Sequence, residues 1–260
     1  MKQQIVFIFL LCLLSAARAH DAAAAIDLTV NHYGLTLGNA GSPGERLNGL
    51  NLTLGAPVGS PYDQINGLTL GLFTTAPAGR INGAAIGTVY VPSNETNGLV
   101  FSGFMMDYAA DITGIALAGL WLNGSDLKPT TIKGVGFGGY LAKVPHFEGM
   151  LVSGLAAMAK EATGIMIGGG YSRLIRLKGA ALGGLITLVH GEAHGVMIGG
   201  IGTSAAKMTG LAVGGLINET GELHGVQIGL VNCADNNPKY FKCLPLINMN
   251  LSASSDHETE

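Results

Sequence analysis

Measured from one glycine per unit, the chain repeats a single apolar and polar pattern about every fifteen residues. The anchors are Gly34, Gly49, Gly67, Gly83, Gly98, Gly114, Gly134, Gly149, Gly164, Gly179, Gly195, Gly210 and Gly225; seven of their twelve intervals equal 15, and the two longest contain Pro57, Pro61 or Pro129. One residue after the anchor every unit is apolar, from Leu35 through Ile115 and Ile165 to Val226. Three after, the same holds from Leu37 through Phe101 and Ile198 to Ile228. Residues two apart share one face of a strand, so the pattern predicts a short strand whose two uniform columns form the buried wall. Four after the anchor every residue is small; five after, eight consecutive units from Gly103 to Gly215 carry glycine; six after, apolar residues return, as at Phe104 and Leu185. Each unit therefore reads as strand, glycine bend, second short strand and polar turn.

The residue before the anchor is polar from the second unit on, beginning Asn48, Asn66, Asn82 and Asn97. Asn-Gly is a turn signal, and a solvated turn is the expected reading, with a hydrogen-bonded asparagine ladder as the alternative.

These units predict an all-β repeat protein, a β-solenoid of about 13–14 coils with a period of about 15 residues. In a solenoid like columns stack directly above each other, which accounts for columns of constant chemistry. An antiparallel β-barrel with one unit per strand fits the spacing too. Aromatics at 6% and the lack of a recurrent aromatic girdle favour the solenoid.

The stretch Gly225-Val226-Gln227-Ile228-Gly229-Leu230-Val231-Asn232, with Gly67 to Phe73 as a second instance, resembles the GLxIGLxN repeats of bacterial surface-repeat proteins, over about residues 30–250. Most central units depart from it by carrying Gly-Gly where that pattern has Gly-Leu. The resemblance implies a bacterial envelope or secreted protein and supplies no catalytic residues.

The ends agree with export. Met1 to Gln4 is a basic start, Ile5 to Leu14 an apolar core too short to span a bilayer, and Ala17-Arg18-Ala19 a small-residue cleavage site. The expected division is a signal peptide at 1–19, a single β-repeat domain at 20–250 and a polar, disordered tail at 251–260, placing the mature chain in the cell envelope, on the outer surface or outside the cell. Loss of Lys2 and Arg18 leaves 14 − 2 = 12 basic residues against 17 acidic ones, a net charge of −5. With scattered cations, nucleic acid is excluded as a partner. Cys233 and Cys243 remain, and in an oxidising compartment a disulfide is expected, with two free thiols as the alternative.

Conventional chemistry is weakly represented. His190, Glu192, His194 and His224 are metal-like residue types, but their spacing spreads them over a turn and two coils, so no metal site is expected. Asp107 and Asp111 flank one turn as ordinary surface carboxylates, and Arg173, Arg176 and Lys178 read as a solvated basic turn. No cofactor or catalytic residue is expected, although a polysaccharide-acting solenoid enzyme stays open as a third reading beside a structural or binding module and a membrane barrel. One stripe stands out: two after the anchor, on the face opposite the expected wall, residues are polar at Thr36, Asn51, Thr69 and Gln227 but mainly apolar between. An outward apolar stripe marks a contact. Leu151, Met166 and Met197 are therefore predicted to centre a contact face for self-association, an envelope partner or an apolar ligand, with membrane contact also open, the alternative being that the Ser125 to Thr131 insertion covers it.

Overall fold

The computed structural model describes residues 33–37, 46–53, 62–73, 78–91, 95–108, 111–125 and 130–251. The expected signal peptide, tail residues 252–260 and most of the Ser125 to Thr131 insertion lie outside the described residues. The chain winds into a parallel β-solenoid of about 11 turns. Its thirteen anchor glycines, Gly34 to Gly225, lie in one unbroken parallel register. Parallel neighbours rule out the antiparallel barrel. The longer intervals do not disturb the stacking, since Leu47 pairs with Ile65 and Ile112 with Ile132 across them.

Two glycine ladders set the winding. The anchors from Gly49 onward have φ between 123° and 153°, a region closed to most L-residues. A Cβ added at Gly164 would also overlap the carbonyl oxygen of Gly149 one coil away, and the same overlap recurs along the column. At the bend, a Cβ on Gly184 would overlap the carbonyl oxygen of Gly169. In the eight coils from Gly103 to Gly215 glycine is thus required twice per coil because backbone lies directly on backbone, whereas Leu72, Thr88 and Leu230 take the bend position outside that run.

The inward face is the reverse of the one expected from the sequence. On the strand around the anchor the even positions point inward: Ile65, Ile112, Phe147 and Leu177 two before it and Leu151, Met166 and Met197 two after it are buried, as are Met106 and Leu122 eight after, whereas position six, at the bend, turns outward, as at Phe104 and Leu185. The uniform columns one and three after the anchor lie outside. Leu151, Met166 and Met197 therefore cannot form a contact face; they are core. The reason is volume. A coil of about fifteen residues encloses a narrow lumen, and two unbroken columns of Leu, Ile and Phe would overfill it. In most coils the inward columns instead balance bulk, as in Ile81 with Ala85, Ile112 with Ala116, Ala162 with Met166, Leu177 with Ala181, Ala193 with Met197 and Met208 with Ala212, while Phe147 with Leu151 puts two large side chains in one coil. Where the partner is Gly136, a Cβ would already meet Ile132 Cδ1 at 3.6 Å and crowd Leu151 more closely.

At the C-terminal end the interior turns polar and the direction changes. The last strand, Cys243–Asn250, runs antiparallel to Ile217–Ala234. Asn218 donates to Asn232 Oδ1 at 2.7 Å, Asn237 to Asn248 Oδ1 at 2.8 Å and Asn248 to the Asn232 carbonyl at 3.0 Å, so the buried amides satisfy one another. Cys233 and Cys243 stand opposite in this pair with their sulfurs at bonding distance. The reversed strand pairs with the edge that the last parallel strand would otherwise leave open and ends the run of parallel coils.

Candidate interaction face

From three before to three after the anchor the outward positions are odd, and the outer surface on the two sides of the anchor differs in chemistry. Three residues before the anchor the outward side chains are charged or polar and pair between coils: Arg80 Nη2 meets Glu95 Oε2 at 2.7 Å, His146 Nδ1 meets Glu161 Oε2 at 3.1 Å, and Arg176 also contacts Glu161. One before the anchor, Lys133 lies 3.6 Å from Glu148. In the same column Asn66, Asn82 and Asn97 each donate to the asparagine one coil earlier at 2.6, 2.8 and 2.9 Å. The asparagines thus form a ladder, not the simple solvated turn expected. An amide can donate and accept at once, so a column of identical amides satisfies itself at the strand spacing.

Past the anchor the surface is apolar without a break. Met150, Ile115 and Ile165 one after it, and Ile198, Phe137, Phe101 and Ile228 three after it, are exposed, from 37% for Met150 to 44% for Ile165. Leu68, Leu99, Val135, Leu182 and Val213 fill the same columns half-buried against their neighbours. No charged residue occurs in either column from Leu35 to Ile228. At the adjoining bend Phe104, Tyr140, Leu155 and Leu185 extend it, and Phe104 meets Trp121 edge-on with ring centroids 6.2 Å apart. Contiguous apolar surface on this scale marks a contact. The exposed apolar columns thus lie one residue out of phase with the stripe singled out in the sequence.

The other candidates are occupied locally. Asn123 donates to Asp107 Oδ1 at 2.7 Å, and Asp111 Oδ1 accepts from the Thr131 N–H at 2.8 Å. His190 Nδ1 lies 3.3 Å from the Leu174 carbonyl and its Nε2 3.4 Å from Arg173, while His194 stands 3.8 Å from Glu192. Arg173, Arg176 and Lys178 fall on three different outward columns, which disperses the basic run. Among the described residues no group of three or more His, Cys, Asp or Glu side chains could hold a metal ion.

The Tyr90 phenol titrates above its ordinary range. Burial first, and the nearby Asp107 carboxylate second, raise its phenol above the ordinary value of 10.0. A phenol kept neutral in the fold contributes stability that is complete below the unfolded value and is lost as pH rises through the raised folded value. Tyr90→Phe is therefore expected to flatten the loss of stability above about pH 10, read from urea midpoints of both proteins between pH 8 and 11. An equal alkaline slope in both would contradict this.

No family model, curated protein or solved structure matches this chain, so the reading of its surface rests on its own residues.

Proposed function

We propose that this is an exported, envelope-associated bacterial repeat protein that acts by contact, as a structural or binding module without catalysis. The carrying observation is the uninterrupted exposed apolar face along the solenoid, set against a charged and amide face on the same coils. Export is supported by the Met1 to Ala19 pattern and by the paired Cys233 and Cys243. The GLxIGLxN-like units support a bacterial surface setting. A rigid solenoid with one adhesive side suits holding a partner along its length, because every coil presents the same chemistry at the same spacing.

Expression of the full chain in a Gram-negative host tests this by fractionation. The processed protein should leave the cytoplasm, and a detergent-sensitive envelope fraction should shrink when Ile115, Ile165 and Ile198 are changed together to threonine. Retention in the cytoplasm, or identical partitioning of the folded triple variant, would refute the proposal.

A further inference from the structure

Resting on the reading that the apolar face is the working surface, we infer that its occupant is a second copy of this chain, packed sheet against sheet. Three features of the face point there.

The first is area. Thirteen rungs at about 4.8 Å make a face about 60 Å long, and two outward columns with their side chains make it about 10 Å wide, or about 600 Å² per copy. A pair would bury about 1,200 Å², the lower bound for a specific stable interface, before the flanking Phe104, Tyr140, Leu155 and Leu185 are included. A strip of about 600 Å² stands at the upper end of what the largest apolar patch on a monomer reaches, and such patches are often functional.

The second is periodicity. The outward side chains stand in straight rows because the anchors hold each residue above its equivalent, Val135 beside Met150, Ile165 and Ala180, and Phe137 beside Val152, Ile167 and Leu182. Another copy presents rows at the identical spacing. Its side chains can therefore enter the gaps of this face along the whole length, whereas a partner of another repeat falls out of step after a few rungs. Two sheets meeting this way sit about 10 Å apart with interdigitated side chains.

The third is charge. The two columns carry none, so two identical faces meet without like-charge repulsion. The bordering ions are largely compensated between coils, Arg80 by Glu95, Lys133 by Glu148 and Arg176 by Glu161, and the chain is net acidic at −3. A surface built for anionic lipid headgroups would carry a cationic rim. That weighs against a membrane as the occupant.

The symmetry follows from the contact. A face that binds its own copy is isologous, so the assembly closes at two and does not grow. At the end of the stack Cys243–Asn250 runs antiparallel, so the parallel repeat does not continue unchanged along the axis.

Sedimentation of the mature protein from nanomolar to micromolar concentration, with Phe137→Thr, Ile165→Thr and Ile198→Thr combined, tests the inference. Threonine keeps the β-branch suited to a strand while removing apolar area. Expected are twice the mass of one chain for the wild type and a dissociation constant raised at least a hundredfold in the triple variant, with circular dichroism unchanged. Should the triple variant not fold, Ile165→Cys supplies the readout. Its thiol should react with a maleimide at least tenfold more slowly at micromolar than at nanomolar protein, and a rate independent of concentration would overturn the inference. Flotation with phosphatidylcholine and with phosphatidylglycerol vesicles separates the remaining outcomes. A monomer that floats, and stops floating in the triple variant, overturns the second copy while leaving the contact face standing. A monomer that floats with neither vesicle, with wild type and variant alike throughout, removes both.

Discussion

Gly184→Val is expected to destabilise the protein by about 3–5 kcal/mol, among the largest effects of any single substitution in this chain. A Cβ on Gly184 would overlap the carbonyl oxygen of Gly169 and stand 2.8 Å from its carbonyl carbon, both backbone atoms fixed in a neighbouring coil. A clash with the end of a long side chain can be relieved by a rotamer change, but this one cannot. Shifting the Gly184 coil away is blocked as well, because a Cβ on Gly200 would find the Gly184 carbonyl just as close on the other side. The coils must separate locally, breaking bonds such as Gly184 N–H to the Gly168 carbonyl at 2.9 Å and Leu185 N–H to the Gly170 carbonyl at 2.7 Å. In a stack where each coil touches only its neighbours, such a lesion weakens one interface and lets the two sides unfold separately. Urea unfolding should lose its single transition and show two, with amide exchange fastest around Gly169 and Gly184. Thr163→Ser in the polar outward column is the control, with an expected change under about 0.5 kcal/mol. Equal losses in the two variants would contradict the glycine-ladder account.

The register of the fold is legible in the sequence because its determinants are local and repeat. An anchor that must have positive φ can only be glycine, so it marks every coil; a bend where backbone meets backbone is likewise written as the run from Gly103 to Gly215. Even the insertions near Pro57 and Pro129 hide nothing, because the columns resume beyond them. The sidedness is not legible in the same way. Uniform apolarity at Leu50, Ile165 and Ile198 looks like a core when each column is read alone, whereas the lumen carries mixed residues such as Thr96, Ala162, Phe147 and Met208 that look indifferent. What sets the core in most coils is a relation between two columns, bulk at one position against smallness four residues away in either order, and that relation is visible only when units are compared in pairs. Ala162 with Met166 followed by Leu177 with Ala181 is the clearest signal of it. The C-terminal amides were missed for a similar reason, since Asn218, Asn232 and Asn248 come together only through the reversal of the last strand.

Adjacent residues on opposite faces give the sharpest measure of this sidedness, and Met166→Ala against Ile165→Ala is the pair to compare. Met166 is fully buried, whereas Ile165 is 44% exposed. Truncating Met166 removes apolar contacts and leaves a void in a lumen already floored by Ala162 in the same coil, so the site has little with which to collapse. The expected cost is about 2–4 kcal/mol, within the range for buried large-to-alanine changes. Ile165→Ala loses only part of its burial and some strand preference and should cost about 1 kcal/mol or less in the dissociated chain. Returning the bulk on the other side, as Ala162→Leu in the Met166→Ala background, should recover part of the loss. Recovery stays incomplete because the added bulk would stand between Phe147 and Leu177, two large neighbours that the small Ala162 now separates. Urea midpoints of the four proteins, measured at concentrations too low for association, decide the matter. If Ile165→Ala proves the costlier single change, or if Ala162→Leu worsens Met166→Ala, then bulk is not balanced within the coil and the inward face has been assigned to the wrong columns.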